Sequence, residues 1–547
     1  MIKNFIACIV SSVAMISATA QSTAAKFSWT NLPTITEPVF KKDTFNVLRY
    51  GAVADGLTLN TTSISKAIDD CSARGGGVVL VPGGLWLTGP IEMKSNVNLH
   101  VVRDAVLLFT TDFNQYKLIE GNFEGSRSAR NQSPIGGTNL ENIAISGRGV
   151  IDGNGDAWRM VGRDRLTEAE WKRKVASGGL VSSDGRTWFP SAKTKLAFEQ
   201  KRNATLQPGQ TLKDFDDIKD YLRPNLLVLA NCKKVLLEGV TFQNSPAWCL
   251  HPLLCEDLTV RAVQVKNPDY AQNGDGIDVE SCKNVLIEGS TFDCGDDGIC
   301  IKSGRDEEGR KRGKPTENVI IRNNLVYKAH GGFVIGSEMS GGARNVFVYD
   351  CSFMGTDIGL RFKTARGRGG VVENIYVKNI RMKDIVHDAV FFDMYYFMKP
   401  PAANEKIVVP TVTEATPQFQ NFYISNVVCN GAERGLFIRG LPEMSVKNIY
   451  LDNLVLKTAK GAEIIEADGI HLNNVQLFSQ TTKPVIYVEN SNHLELNGIR
   501  YTANPERLLS VNGEKSGNIV VTNTASSNNP NMVEFNHGAN ATMVTAK

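Results

Sequence analysis

Three aspartates carry the chemistry this chain can do. "NGDG" places Asp275 after Asn273 and Gly274, and "CGDDG" places Asp296 and Asp297 side by side, 21 residues (296 − 275) after Asp275. Asp-Gly and Asp-Asp-Gly are ordinary turn signals, so either motif alone is weak. Gathered on one face they mean more. Like charges held close raise one another's pKa, and carboxyl groups pushed apart in protonation state are what general acid–base catalysis needs. One acid kept protonated can donate to a leaving oxygen while ionised neighbours activate water, which is the pattern of glycoside hydrolysis. Two further motifs belong to the same reading. His330 lies in "KAHGG", 34 residues (330 − 296) beyond Asp296, and Arg361 and Lys363 stand two apart in "LRFK". Alternate residues of a strand point the same way, so both cations project to one side.

The elements that bring these residues together are repeats. Ten segments share a polar residue, often Asn, followed by alternating apolar positions, among them "KNVLIEGSTF", "ENVIIRNNLV" and "KNIYLDNLVL". Their first apolar residues are Val235, Leu258, Val285, Val319, Val346, Ile375, Phe422, Ile449, Ile470 and Leu494, spaced by 21 to 47 residues. The alternation is a strand period. Units this short cannot fold alone, and stacking them buries a continuous interior. The expected fold is all-β, a parallel β-helix, with a basic coil in the low twenties lengthened by loop insertions. One coil is about the Asp275–Asp296 interval, so these two residues are expected to stack.

Solenoids need caps. Ile64, Ala67, Ile68 and Cys71 have helical spacing over 63–71, ended by Gly75-Gly76-Gly77, and "VVLVP" starts the coils. The cap spans about 44–90. From Ala157 to Asn225 the repeat is interrupted by a charged stretch with tryptophans at 158, 171 and 188. "LTEAEWKRKVASGG" within it reads as a short helix with Thr167 as N-cap and Glu170 three later. The twelve-residue stretch "GRDEEGRKRGKP" reads as a second loop insertion, and its basic residues, with those of 361–368, as an anion-binding surround.

The balance of 60 basic and 57 acidic residues excludes a grossly basic nucleic-acid binder, and 42% hydrophobic residues suffice for a core. Lys3, the apolar run "FIACIVSSVAMISA" and Ala18-Thr19-Ala20 predict an export leader over 1–20, with one catalytic domain over 21–547 in the periplasm or outside the cell. Nine cysteines follow that leader without paired CxxC motifs, which points away from zinc. They read as buried thiols, with one or two disulfides as the alternative.

In combination, "NGD" (Asn273–Asp275), Asp296-Asp297, "AHG" (Ala329–Gly331) and Arg361-Phe362-Lys363 resemble the four motifs of glycoside hydrolase family 28, the polygalacturonase family of right-handed parallel β-helices. The resemblance extends from "FNVLRYGAVADG" to about Asn523. It implies Asp296 as general acid, Asp275 and Asp297 as activators of water, and His330 as a partner tuning the acids. Arg361 and Lys363 would bind a galacturonate carboxylate, with Asn273 shaping the same subsite. It further implies inversion at the anomeric carbon through widely spaced carboxylates, an acidic polysaccharide as substrate, a monomer, and no metal or other cofactor. Gly274 and Ala329 depart from the usual Thr and Gly, and "NPD" at 267–269 has the wrong spacing to serve as the motif. The insertions and "GSEMSGG" look like bacterial exo-acting members. A rhamnogalacturonan hydrolase of the same family, a calcium-dependent pectate lyase and a non-catalytic pectin adhesin are the alternatives.

Overall fold

The computed structural model describes residues 27–400, 408–502, 505–525 and 529–547. The leader expected over 1–20 lies outside them. Among the described residues no helix is long and apolar enough to cross a membrane.

The chain is a right-handed parallel β-helix. Two long sheets, of 25 and 14 strands, run its length, and every strand pair in them is parallel. The ten first apolar residues form one unbroken ladder: Val235 pairs with Leu258, then Val285, Val319, Val346, Ile375, Phe422, Ile449, Ile470 and Leu494. All ten are buried. Each contributes on the order of 1.5–3 kcal/mol by burial, whereas ordering a residue costs roughly 1–2 kcal/mol of backbone entropy. A lone coil with few inward side chains loses that balance, so coils persist only stacked.

The polar residue before each apolar one has a purpose the alternation does not reveal. Asn284, Asn318, Asn345, Asn374, Asn421 and Asn448 all adopt left-handed backbone, φ +54° to +60°. Asparagine tolerates that region better than most residues. Its side chain also bonds to the coil before: Asn318 Nδ2 donates to Asn284 Oδ1 (3.1 Å), and Asn345 Nδ2 to Asn318 Oδ1 (3.2 Å).

The amino-terminal end is closed by helix α1 (Thr61–Ala73), which buries Ile64, Ala67, Ile68 and Cys71 as their spacing predicts. Gly76 follows at φ +99°, where a Cβ would collide with the carbonyl of Asn96. The nine described cysteines are buried free thiols, as favoured from sequence. Burial pushes Cys71 up to about 11.

Three excursions leave the coils. A hairpin of β1 (Leu118–Phe123) and β2 (Ser126–Asn131), unforeseen in the sequence, precedes the long insertion. The insertion is ordered: α2 (Glu168–Ala176) carries the expected capping box of Thr167 and Glu170, and Trp158, Trp171 and Trp188 are buried. It also holds α3 (Ala192–Glu199) and a 3-10 segment, Leu212–Tyr221. Ala129 of the hairpin joins Ala197, Phe215, Ile218 and Leu222 in a small separate core. The third excursion is no loop. Asp306–Arg312 is a helix, α4, with Asp306, Glu307 and Glu308 in its first turn and Arg310, Lys311 and Arg312 in its last. That order complements the helix dipole.

The smaller sheet carries the outward residues of interest on β3 (Ile277–Glu280), β4 (Ile299–Lys302), β5 (Phe333–Ile335), β6 (Leu360–Lys363), β7 (Asp388–Asp393), β8 (Arg434–Arg439), β9 (Lys460–Ile465) and β10 (Ile486–Glu489).

The ladder makes a prediction. Asn345→Ala should lose a side-chain bond and place Ala in left-handed backbone, costing about 2 kcal/mol in all. Asn345→Gly should recover the backbone part. The order of urea midpoints, parent above Gly above Ala, checks this; equal midpoints for Gly and Ala would remove the backbone argument.

Candidate active site

The three aspartates do meet. Oxygen atoms of Asp275, Asp296 and Asp297 lie within 4.8 Å of one another. The stacking differs from expectation by one residue. β3 and β4 pair Ile277 with Ile299, an offset of 22, and Gly276 N donates to Asp297 O (2.9 Å). Asp275 therefore stands opposite Asp297, and Asp296 occupies the turn beside them.

Their environments separate the three acids. Asp296 keeps 23% of its side chain exposed, against 2% for Asp297, and Asp275 is buried. Asp296 Oδ1 accepts from the Asp297 backbone N–H (3.0 Å) and pairs with His330 Nδ1 (3.0 Å). That contact raises the His330 pKa, against the opposing effect of burial. Asp297 accepts from Lys363 Nζ (2.7 Å) and Arg361 Nη1 (3.0 Å). Burial disfavours its charge, but Lys363 and then Arg361 more than offset that and hold its carboxyl well below the usual range. Asp275 has no such partner: burial first, then the charges of Asp278 and Asp296, push it well up. Burial and the flanking cations thus push these two neighbouring acids in opposite directions, and the cluster titrates as a unit.

Arg361 and Lys363 project together as their spacing predicts, but in this ligand-free chain both are spent on Asp297. The Tyr396 ring lies over them, 5.7 Å from Arg361 Cζ and 4.9 Å from Lys363 Nζ. The expected basic surround is largely consumed as well. Arg312 pairs with Glu280 (2.6 Å), Lys311 with Glu307 (2.6 Å) and Arg305 with Glu124 (3.2 Å). Lys302 is buried between Asp278 (3.5 Å) and Glu338 (3.0 Å).

Asn273 adopts left-handed backbone, φ +52°. Its Oδ1 accepts from Arg223 Nη2 (3.0 Å) and its Nδ2 reaches Glu124 Oε1 (3.5 Å). Arg223 leaves the long insertion, Glu124 is the turn of the β1–β2 hairpin, and Arg305 enters α4. The long insertion and the hairpin therefore meet at the residue beside the acids, and α4 joins them through Glu124. The hairpin is further tied to α4 by Arg305 N to Gly125 O (3.3 Å) and Arg127 N to Glu308 Oε2 (3.1 Å).

Residues 166–421 match the family model described as glycosyl hydrolases family 28. The solved structure of a hyperthermoactive exopolygalacturonase from Thermotoga maritima is 31% identical, covers 86% of this chain and 94% of that one, and superposes with a TM-score of 0.65. The chain belongs to glycosyl hydrolases family 28. It is also 29% identical over 445 residues to an exo-poly-alpha-D-galacturonosidase of Dickeya chrysanthemi (79% of this chain, 70% of that protein). A probable polygalacturonase of Vitis vinifera is 32% identical over 348 residues, and there the match spans 62% of this chain and only 60% of the plant protein.

One departure of this family 28 member has a local explanation. A Cβ on Gly274 would sit 2.7 Å from Ala271 Cβ and 2.8 Å from Ala271 O, so the threonine usual there does not fit this turn. The "NPD" set aside for its spacing still contributes. Asn267 is buried, its Oδ1 accepts from Ser245 N (2.9 Å), and its Nδ2 donates to Gly274 O (3.1 Å), bracing the loop that carries Asp275. Asp278 escaped notice too. It is fully buried beside the acid cluster, and neither carboxylate oxygen has a hydrogen-bond partner among the described residues. Its strand alternation with Glu280 was the available signal.

The Asp297 clamp predicts a pH effect. Lys363→Met removes the nearest cation, leaves Arg361 as the main group opposing the burial of Asp297, and so raises its pKa. The acid limb of the kcat profile should move to higher pH, and Lys363→Arg should move it back. An acid limb unchanged in Lys363→Met would show that Asp297 does not need Lys363 to ionise.

Proposed function

We propose that this chain is an exo-acting, inverting galacturonosidase that removes galacturonate units from pectin chains. Hydrolysis of galacturonan is the family's chemistry, and the acid cluster beside a cation pair is the observation that carries it here. Asp296, the accessible acid, is the proton donor. It protonates the glycosidic oxygen as the C1–O bond breaks. Asp275 and Asp297 hold the attacking water, and Asp297, kept ionised by its cations, takes its proton as its oxygen bonds to C1. The leaving sugar departs with a hydroxyl, and one water is consumed per bond. His330 orients Asp296 through their 3.0 Å contact. Arg361 and Lys363 meet the sugar carboxylate, with Tyr396 shielding them from water.

Inversion finds its support in two acids remaining to hold water once Asp296 has donated. The wide carboxylate spacing expected from sequence is not present. Inverting enzymes usually separate the pair by about 6.5–9.5 Å, whereas oxygens here approach within 4.8 Å. Three carboxylates in place of two let the water sit against a pair, so separation is a poor guide in this site.

Exo action is supported by the convergence of Glu124, Arg305, Arg223 and Asn273. A β-helix groove is open along its axis, and these side chains join three excursions across one side of the acids. A chain end fits against such a wall; a chain interior does not.

Asp296→Asn should lose roughly 10²–10⁴-fold or more in rate with an unchanged circular dichroism spectrum and retained oligogalacturonate binding; near-parental turnover would remove Asp296 from the donor role. With polygalacturonate, monomeric galacturonate should appear first while viscosity falls slowly. A ladder of oligomers with rapid loss of viscosity would mean an open groove, and an unsaturated, calcium-dependent product would mean elimination instead of hydrolysis.

A further inference from the structure

The outward column that carries Arg361 continues past the catalytic coils, away from the Asn273 wall. Arg361 is in register with Phe391, Phe391 with Phe437, Phe437 with Glu463, and Glu463 with Tyr487. Four steps at about 4.8 Å place Tyr487 some 19 Å from Arg361. Between them the Phe391 and Phe437 rings stack at 5.3 Å and 20°, with Phe437 buried beneath Arg434 and Arg439. A parallel column of Asp388, Arg434 and Lys460 flanks this one. The two columns end around a cavity of about 360 Å³ bounded by Arg434, Lys460, Glu463, Thr481 and Tyr487. That is at the small end of ligand sites and suits one or two sugar rings.

Its electrostatics differ from those of the acid site. Arg434 pairs with Asp388 (2.6 Å) and Glu463 (2.8 Å), and Lys460 with Glu433 (2.8 Å). Three carboxylates answer two cations, so a free uronate would meet net repulsion. The same paired groups offer fixed donors and acceptors to hydroxyls. Tyr487 adds a ring whose hydroxyl is anchored on Glu489 (2.7 Å). An aromatic surface with paired polar groups suits an uncharged pyranose.

The geometry points to a distal subsite at Arg434, Lys460, Glu463 and Tyr487 that takes an uncharged sugar unit, neutral or esterified, of the polysaccharide whose terminal uronate is held at Arg361 and Lys363. This rests on the proposed function, and it assigns the chain a preference for substrates that are acidic at the end and uncharged several units inward.

The test compares kcat/KM of the full chain on galacturonate trimers, free-acid octamers, octamers methyl-esterified except at their end units, and octamers alternating galacturonate with rhamnose. The parent should favour one or both uncharged-interior octamers over trimers and free-acid octamers by about five- to tenfold, through KM. Whichever of the two is favoured identifies the source of the uncharged unit. In Tyr487→Ala, and in the milder Glu463→Gln, the octamer-to-trimer ratio should fall towards one. Binding of the same octamers to Asp296→Asn, followed by titration calorimetry, should show the same order without turnover. An octamer-to-trimer ratio near one in the parent overturns the subsite, as does a variant ratio equal to the parent's or a preference confined to free-acid octamers. Trimer hydrolysis by the parent reports on the proposed function separately: trimers cleaved without a length effect sink the subsite alone, and trimers left intact sink both.

Discussion

Every coil of this molecule must place its side chains directly over those of the coil before, about 4.8 Å away. In-register stacking turns each outward position into a column, and a column makes neighbours of residues 21 to 47 apart in sequence. Identical amides gain from this, since each asparagine both donates and accepts along its column. Identical charges lose. Away from the acid site many columns set opposite charges in register: Lys233 over Glu256, Glu317 over Arg344, Asp388 over Arg434, Asp393 over Arg439.

The acid site breaks that alternation. Asp275 stands against Asp297, with Asp296 beside them and Asp278 buried one step along the strand. The arrangement survives because its charge is not uniform: Lys363 and Arg361 keep Asp297 ionised, while burial favours a proton on Asp275. Two like groups in one column are pushed in opposite directions by what surrounds them. Loss of either cation therefore disturbs the protonation of the whole cluster, because the acids share their charge.

Legibility in the sequence follows the same physics. The coil ladder was readable residue by residue, since an apolar position that slips by one would leave the core, and all ten chosen positions fall in one register. The acids, His330 and the cation pair were readable because chemistry restricts their types. The one-residue error at Asp275 and Asp296 came from measuring turn to turn, where register is loose, instead of strand to strand. The β1–β2 hairpin had no readable signal: "LIEGNFEGSRSARN" is polar and lacks alternation, because it is held by its partners and not by a core of its own. For α4 the signal was present, with acids before bases across one short helix, but the pairings of Arg312 with Glu280 and Arg305 with Glu124 depend on coils and loops far away in sequence. Unpaired basic residues in a sequence are therefore poor evidence of a free basic surface.

The excursions explain how one scaffold can separate bond cleavage from the choice of bond. The hairpin and the long insertion build their own core around Ala129, Ala197, Phe215, Ile218 and Leu222, distinct from the solenoid interior. They reach the acids through polar contacts, Arg223 to Asn273 and Glu124 to Asn273. A wall anchored this way does not enter the strand register that sets Asp275 against Asp297. The coils fix the acid cluster by a constraint that tolerates no slip, while the wall is attached through side-chain contacts that lie outside the strand register, among them Arg223 to Asn273 and the buried Arg159 to Asn244. On the function proposed above, reaction type and cleavage pattern are written in different parts of the chain, the first in strand spacing and the second in what is inserted between strands.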